Sequence, residues 1–153
     1  MSLKFFNSNQ YESIDVLFSA LIPTDTVRNI PGAKEAGAAD YLDFLLSTDS
    51  YYEIEAWKNQ YPNWISMLDA YSNRIYGKPL RALGLEKVTS ILKLLEAGDC
   101  DIELGGDGQK KMFSILWRHC IQGCFSDPKW RGNKDKIMWK WYGYLEEPKQ
   151  IKI

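Results

Sequence analysis

The sequence predicts an all-α protein, a single compact domain of five or six helices over residues 1–153 with a structured C-terminal loop. Three observations carry this. Apolar residues recur at the 3.6-residue period along most of the chain. Alternation with period two never persists, and β-branched residues are sparse. Capping residues, Gly and Pro punctuate the pattern at helix-length intervals. A chain of 153 residues with 45% hydrophobic and 25% charged residues has the length and composition of one ordinary folded domain.

The first helix is marked by Tyr11, Ile14, Leu17, Phe18 and Leu21, with Asn9 placed to cap it, Glu12 to reciprocate, and Pro23 to end it. A loop holding Asp25, Pro31 and Gly32 follows. Ala38, Tyr41, Leu42 and Leu45 give a second amphipathic face. Ser50 and Glu53 form a capping box for the longest helix, whose stripe is Ile54, Trp57, Tyr61, Ile65, Leu68 and Ser72, with Trp64 and Tyr71 beside it. Pro62 is expected to kink or split that helix, and Gly77 and Pro79 to stop it.

Val88, Ile91, Leu92 and Leu95 define a fourth helix that closes at Gly98. Gly105, Gly106 and Gly108 form the next loop, with Asp107 as the expected N-cap. No strand precedes these glycines and no Gly-Lys-Ser/Thr follows, which argues against a phosphate loop. The fifth helix, about 109–124, is apolar nearly all round, and such a helix is central to its domain or shared with a partner. A last short helix is expected over about 134–141.

Charge and motifs exclude several functions. The net charge of −1 gives no overall reason to expect nucleic acid, although Lys129, Arg131, Lys134, Lys136 and Lys140 make the C-terminal part locally basic. No apolar run approaches the length of a membrane span. The N-terminus shows neither a long apolar region nor a twin-arginine pair, so the expectation is a cytoplasmic protein, periplasmic where such a signal has been removed or is carried by a partner. Cys100, Cys120 and Cys124 do not make a disulfide framework, and with His119 as the sole histidine they do not make a zinc site. Asp99, Asp101, Glu103 and Asp107 lack the spacing of a calcium loop. His119 has Ile115 and Gly123 at i−4 and i+4, so its own helix offers no orienting carboxylate, and a structural role is expected.

What survives is the stretch after the fifth helix. Asp127-Pro128 and Gly132-Asn133 are turn formers, and Trp130, Trp139, Trp141, Tyr142 and Tyr144 crowd around them. Trp, Tyr and Arg on a shaped loop are the composition of a protein–protein anchor. The expected contact residues are Phe125, Asp127, Lys129, Trp130, Arg131, Asn133, Trp139, Trp141 and Tyr144. No catalytic, cofactor-binding or metal-binding residue is expected.

The order His119, Gly123, Phe125, Asp127, Pro128, Trp130, Gly132, Asn133, Trp139, Gly143, Tyr144 resembles the C-terminal signature of the gluconate 2-dehydrogenase subunit 3 family. Leu21-Ile22-Pro23-Thr24-Asp25 followed by Pro31-Gly32-Ala33-Lys34-Glu35-Ala36-Gly37 is similar to the opening segment of the same family. Two departures stand out: Arg131 where the family often has a first Gly, and Cys124 where an aromatic is usual. The resemblance implies a non-catalytic small subunit that binds a large flavoprotein of the glucose–methanol–choline oxidoreductase type. That partner would hold FAD and oxidise a sugar, sugar acid or polyol, and some complexes of the family add a multihaem cytochrome. The alternative is a stand-alone helical protein that binds a small ligand or cofactor.

Overall fold

A computed structural model describes residues 2–49 and 52–144. Seven α-helices follow in order: α1 (Ser8–Leu21), α2 (Ala33–Ala36), α3 (Ala38–Leu46), α4 (Tyr52–Tyr76), α5 (Leu85–Ala97), α6 (Gly106–Phe125) and α7 (Ile137–Tyr142). Short 3-10 turns cover Leu80–Ala82, Pro128–Trp130 and Lys134–Lys136. The protein is all-α, and extended pairing among the described residues is limited to a bridge between Asp25 and Ile30. The count exceeds the expected five or six because Gly37, at φ 69°, separates α2 from α3. Glycine enters this left-handed conformation without the Cβ penalty, so the break costs little.

The predicted faces are the buried ones. Ile14, Leu17 and Phe18 of α1, the whole α4 stripe, and Val88, Ile91, Leu92 and Leu95 of α5 lie in one hydrophobic core that extends from Phe6 to Met138. Helix α6 runs through its middle, packing on α1, α2, α3, α5 and α7. Its breadth of apolar surface is used on several sides at once.

Helix α4 continues unbroken through Pro62. A proline inside a helix costs about 3 kcal/mol. Beyond it lie the buried Trp64, Ile65, Leu68 and Tyr71, each contributing roughly 1.5–3 kcal/mol through burial, so packing outweighs the lost hydrogen bond. Splitting the helix there would forfeit more than it relieves. Ser50 of the expected capping box lies outside the described residues, and Glu53 is in the first turn of α4.

Two caps differ from expectation. Asn7, not Asn9, caps α1: its side chain accepts from the Gln10 N–H at 2.8 Å, and the Gln10 side chain accepts from the Asn7 N–H at 3.0 Å. Asn9 is already inside the first turn, where its carbonyl accepts from the Ser13 hydroxyl. Likewise Gly105 is the N-cap of α6 and Asp107 falls in its first turn, where a carboxylate complements the positive helix end. The glycine loop before α6 is held by Gln109. Its amide oxygen accepts from Cys100 N–H at 2.9 Å, and its amide nitrogen donates to the Cys100 and Leu104 carbonyls.

One buried carboxylate organises the N-terminal segment. Asp43 of α3 is 3% exposed and accepts from the backbone N–H groups of Lys4, Phe5 and Phe6 at 2.7, 2.9 and 2.8 Å. Three donors satisfy the charge that burial would otherwise penalise. Phe6 is thereby seated edge-on against Tyr61.

Candidate functional site: the loop after α6 and its scaffold

The two sequence motifs, about a hundred residues apart, meet in space. Gly123 of α6 lies against Ala38 at the start of α3, and a Cβ at Gly123 would stand 2.8 Å from the Ala38 Cα. Gly132 packs over the Gly123 carbonyl so closely that a Cβ there would collide with it. The next N–H, of Asn133, donates to that carbonyl at 2.8 Å. Lys134 then lays its chain across Gly37 and pairs with Asp40. On the far side, Gly32 sits against the backbone of Ile22, Pro23 and Thr24, and Ala33 N–H donates to the Ile22 carbonyl. These glycines are where backbones touch.

Asn133 corrects the sequence-based list. It is fully buried; its side-chain amide donates to the Ser126 carbonyl at 3.1 Å and its oxygen accepts from Met138 N–H at 3.0 Å. It is an internal staple and presents no surface for contact. Its left-handed backbone, φ 46°, is one that Asn tolerates well. Asp127 holds the turn as expected, accepting from Lys129 N–H at 2.9 Å, with Pro128 at the first position of the 3-10 turn.

Arg131 is left-handed, with φ 78°. Glycine would adopt this conformation freely, whereas a residue with a Cβ pays roughly 1–2 kcal/mol. That is the physical content of a glycine at this position of the family signature. Here the guanidinium lies 5.2 Å from the centre of the Phe44 ring.

The aromatics do not form one cluster. Trp130 is 47% exposed, lies 6.3 Å from Phe44, and carries the Lys129 ammonium 5.1 Å above its ring. It borders a groove of about 340 Å³ with Tyr41, Phe44, Leu45, Thr48, Gln122 and Ser126. Trp141, 46% exposed, lines a different groove with residues of the Thr24–Pro31 loop and Glu35. Trp139 is half-buried: its indole N–H donates to the Phe125 carbonyl at 2.7 Å and its ring meets Tyr144 edge-on. Phe125 is itself half-buried against the core. Tyr142 and Tyr144 are exposed. The expected contact residues thus divide into a Trp130 face, a Trp141 face, and the internal supports Phe125, Asn133 and Trp139.

His119 lies in the core. The Tyr61 hydroxyl is 2.6 Å from its Nδ1, and Trp57 meets it edge-on at 4.5 Å. Burial, helped by the adjacent Arg118 charge, depresses its pKa from 6.5 to about 3, so the ring is neutral. Nε2 is buried with no hydrogen-bond partner. Arg118 does not reach Asp127, and it forms no ion pair among the described residues. Cys120 and Cys124 are free, buried thiols. The hydrogen bond with Cys124, together with burial, pushes the Cys120 thiol well above its usual range. No group of three or more metal-ligating side chains occurs among the described residues.

Sequence reasoning missed Phe44, Tyr41 and Gln122, which complete the Trp130 face. A signal existed for one of them, since Gln122 follows Lys111, Ser114 and Arg118 at helical spacing as a polar, exposed residue of α6.

The class so defined is a helical protein whose two signature segments pack together and present one outward-facing loop. Residues 8–145 match the family described as gluconate 2-dehydrogenase subunit 3, and the chain belongs to that family. No curated protein and no solved structure matches the chain. Among the described residues, no helix is long and apolar enough to cross a membrane.

Proposed function

We propose that the chain is the non-catalytic small subunit of a dehydrogenase complex, and that it binds and stabilises a large FAD-dependent oxidoreductase acting on sugars, sugar acids or polyols. The observation that carries this reading is the half-exposed Trp130, presented on a loop that Asp127, Gly132 and the buried Asn133 hold in one shape. A large amphipathic ring that is already ordered loses little entropy on association, which favours an anchor role. Family membership supplies the complex, since the family is described as a subunit of gluconate 2-dehydrogenase. His119 supports the non-catalytic reading, because a neutral ring packed under Trp57 and bonded to Tyr61 is committed to the core. Phe125, Asn133 and Trp139 hold the loop from within, while Asp127, Lys129, Arg131, Trp141 and Tyr144 remain candidates for direct contact. FAD belongs to the partner, and a cytochrome subunit completes the complex where one is present.

The test is to purify the full chain alone and together with its flavoprotein. The chain alone should show no visible absorbance and no dye-linked sugar oxidation, and the complex should show both flavin absorbance and turnover. Flavin or haem bound to the isolated chain, or turnover by it, would refute the reading in favour of a stand-alone cofactor protein.

A further inference from the structure

The Trp130 groove is one end of a longer furrow along α6. A second groove, lined by Trp57, Arg118 and Glu53 among others, shares Tyr41, Leu45 and Gln122 with it. A third, reaching Lys111, Ser114 and Ile115, shares Trp57 and Arg118 with the second. The α6 positions along the furrow, Lys111, Ser114, Arg118 and Gln122, step by three or four residues and so form one stripe on one face, which Ser126 at the end of the helix continues. At about 1.5 Å per residue its helical part is about 16 Å long. Helices α3 and α4 form its walls, with Leu45, Phe44 and Trp57 supplying apolar surface.

The charge along the stripe is positive. Lys111 and Arg118 are exposed and make no ion pair among the described residues, although Glu53 lines the same furrow. Lys129 and Arg131 extend the positive character past Trp130. Cations beside exposed aromatic surface complement carboxylates carried on an apolar segment.

Building on the proposed function, we infer that this furrow is the docking track for an acidic amphipathic segment of the flavoprotein subunit. That segment carries carboxylates about 10 Å apart, opposite Lys111 and Arg118, which are two helical turns apart. Its apolar side chains lie on the strip from Trp57 to Phe44 and end at Trp130. The Trp141 face lies outside this track.

The experiment titrates the full chain against its purified flavoprotein subunit at low and high salt. It compares wild type with Lys111→Glu/Arg118→Glu, with Trp130→Ala, and with Lys78→Glu/Lys93→Glu, two exposed lysines that do not line the furrow. The double reversal should raise Kd by about thirtyfold or more at low salt, with the difference shrinking at high salt. The Lys78→Glu/Lys93→Glu variant should stay within about threefold of wild type. Thermal melting should show all variants folded, because the substituted side chains are exposed. If the double reversal leaves Kd unchanged while Trp130→Ala weakens binding, the track is refuted and the subunit role stands. If the reversal instead abolishes self-association of the chain and not flavoprotein binding, the occupant is a second copy and the inference is wrong. If wild type binds no flavoprotein, the subunit role and the track fall together.

Discussion

The backbone N–H of Asn133 donates to the carbonyl of Gly123 at 2.8 Å, which ties the C-terminal loop to the middle of the central helix. The contact exists because Gly132, the residue before Asn133, has no Cβ to hold the strand of loop away from α6. Gly132→Ala places a methyl group against backbone atoms that cannot rotate aside. We expect a destabilisation of about 2–3 kcal/mol, read as a lower urea midpoint at unchanged m-value. An unchanged midpoint would mean that the loop is not seated on Gly123.

His119 makes stability depend on pH in a defined direction. Its pKa falls from 6.5 in the unfolded chain to about 3 in the fold, chiefly through burial. The unfolded chain therefore binds the extra proton first, and this contribution to stability is full above about pH 6.5 and declines as pH falls towards 3. His119→Gln removes the titration. The stability advantage of wild type over the variant should shrink by up to about 1.4 kcal/mol per pH unit below 6.5. Parallel stability curves between pH 7 and 4 would contradict a buried neutral histidine.

Much of the fold was legible because helical periodicity is a local signal. The α4 stripe from Ile54 to Ser72, the α5 face and the structural role of His119 all follow from spacing along one helix. Asn7 and Asn9 each had a glutamine or glutamate three residues on, and the choice between them depends on Asp43 gripping Lys4, Phe5 and Phe6 from a different helix. Non-local contacts of that kind leave no periodic trace. The same holds at the site: Asn133 and Trp130 look alike as loop residues, yet one is a buried staple and the other a half-exposed face. Which aromatic points where is set by the close approach of Gly123, Gly132 and Ala38, and that approach joins segments distant in sequence.

Asp43 offers a separate check on the N-terminal segment. Asp43→Ala leaves three backbone donors without their shared acceptor, one of them the buried Phe6 N–H. The expected cost is about 3 kcal/mol, accompanied by faster amide exchange at Phe5 and Phe6. Exchange rates equal to wild type would show that the segment is held by other contacts.

Cys100, Cys120 and Cys124 are buried and free, and burial raises the pKa of the Cys100 thiol. With Cys120 shifted in the same direction, little thiolate is available to react. All three should label slowly in the native protein and quickly after denaturation. Rapid native labelling, or an intact mass two hydrogens below that of the reduced chain, would overturn this assignment.

The central claim is that this subunit anchors a flavoprotein through the loop that Gly123 and Asn133 hold in place, and Trp130→Ala tests it most directly. Truncating an anchor of this type typically costs on the order of 2–4 kcal/mol of binding, so Kd for the flavoprotein should rise by a factor of about thirty to a thousand. The melting temperature of the isolated chain should barely move, since the ring is already 47% exposed. An unchanged Kd, or a free chain that unfolds on losing this ring, would place Trp130 among the supports of the fold and the anchor elsewhere.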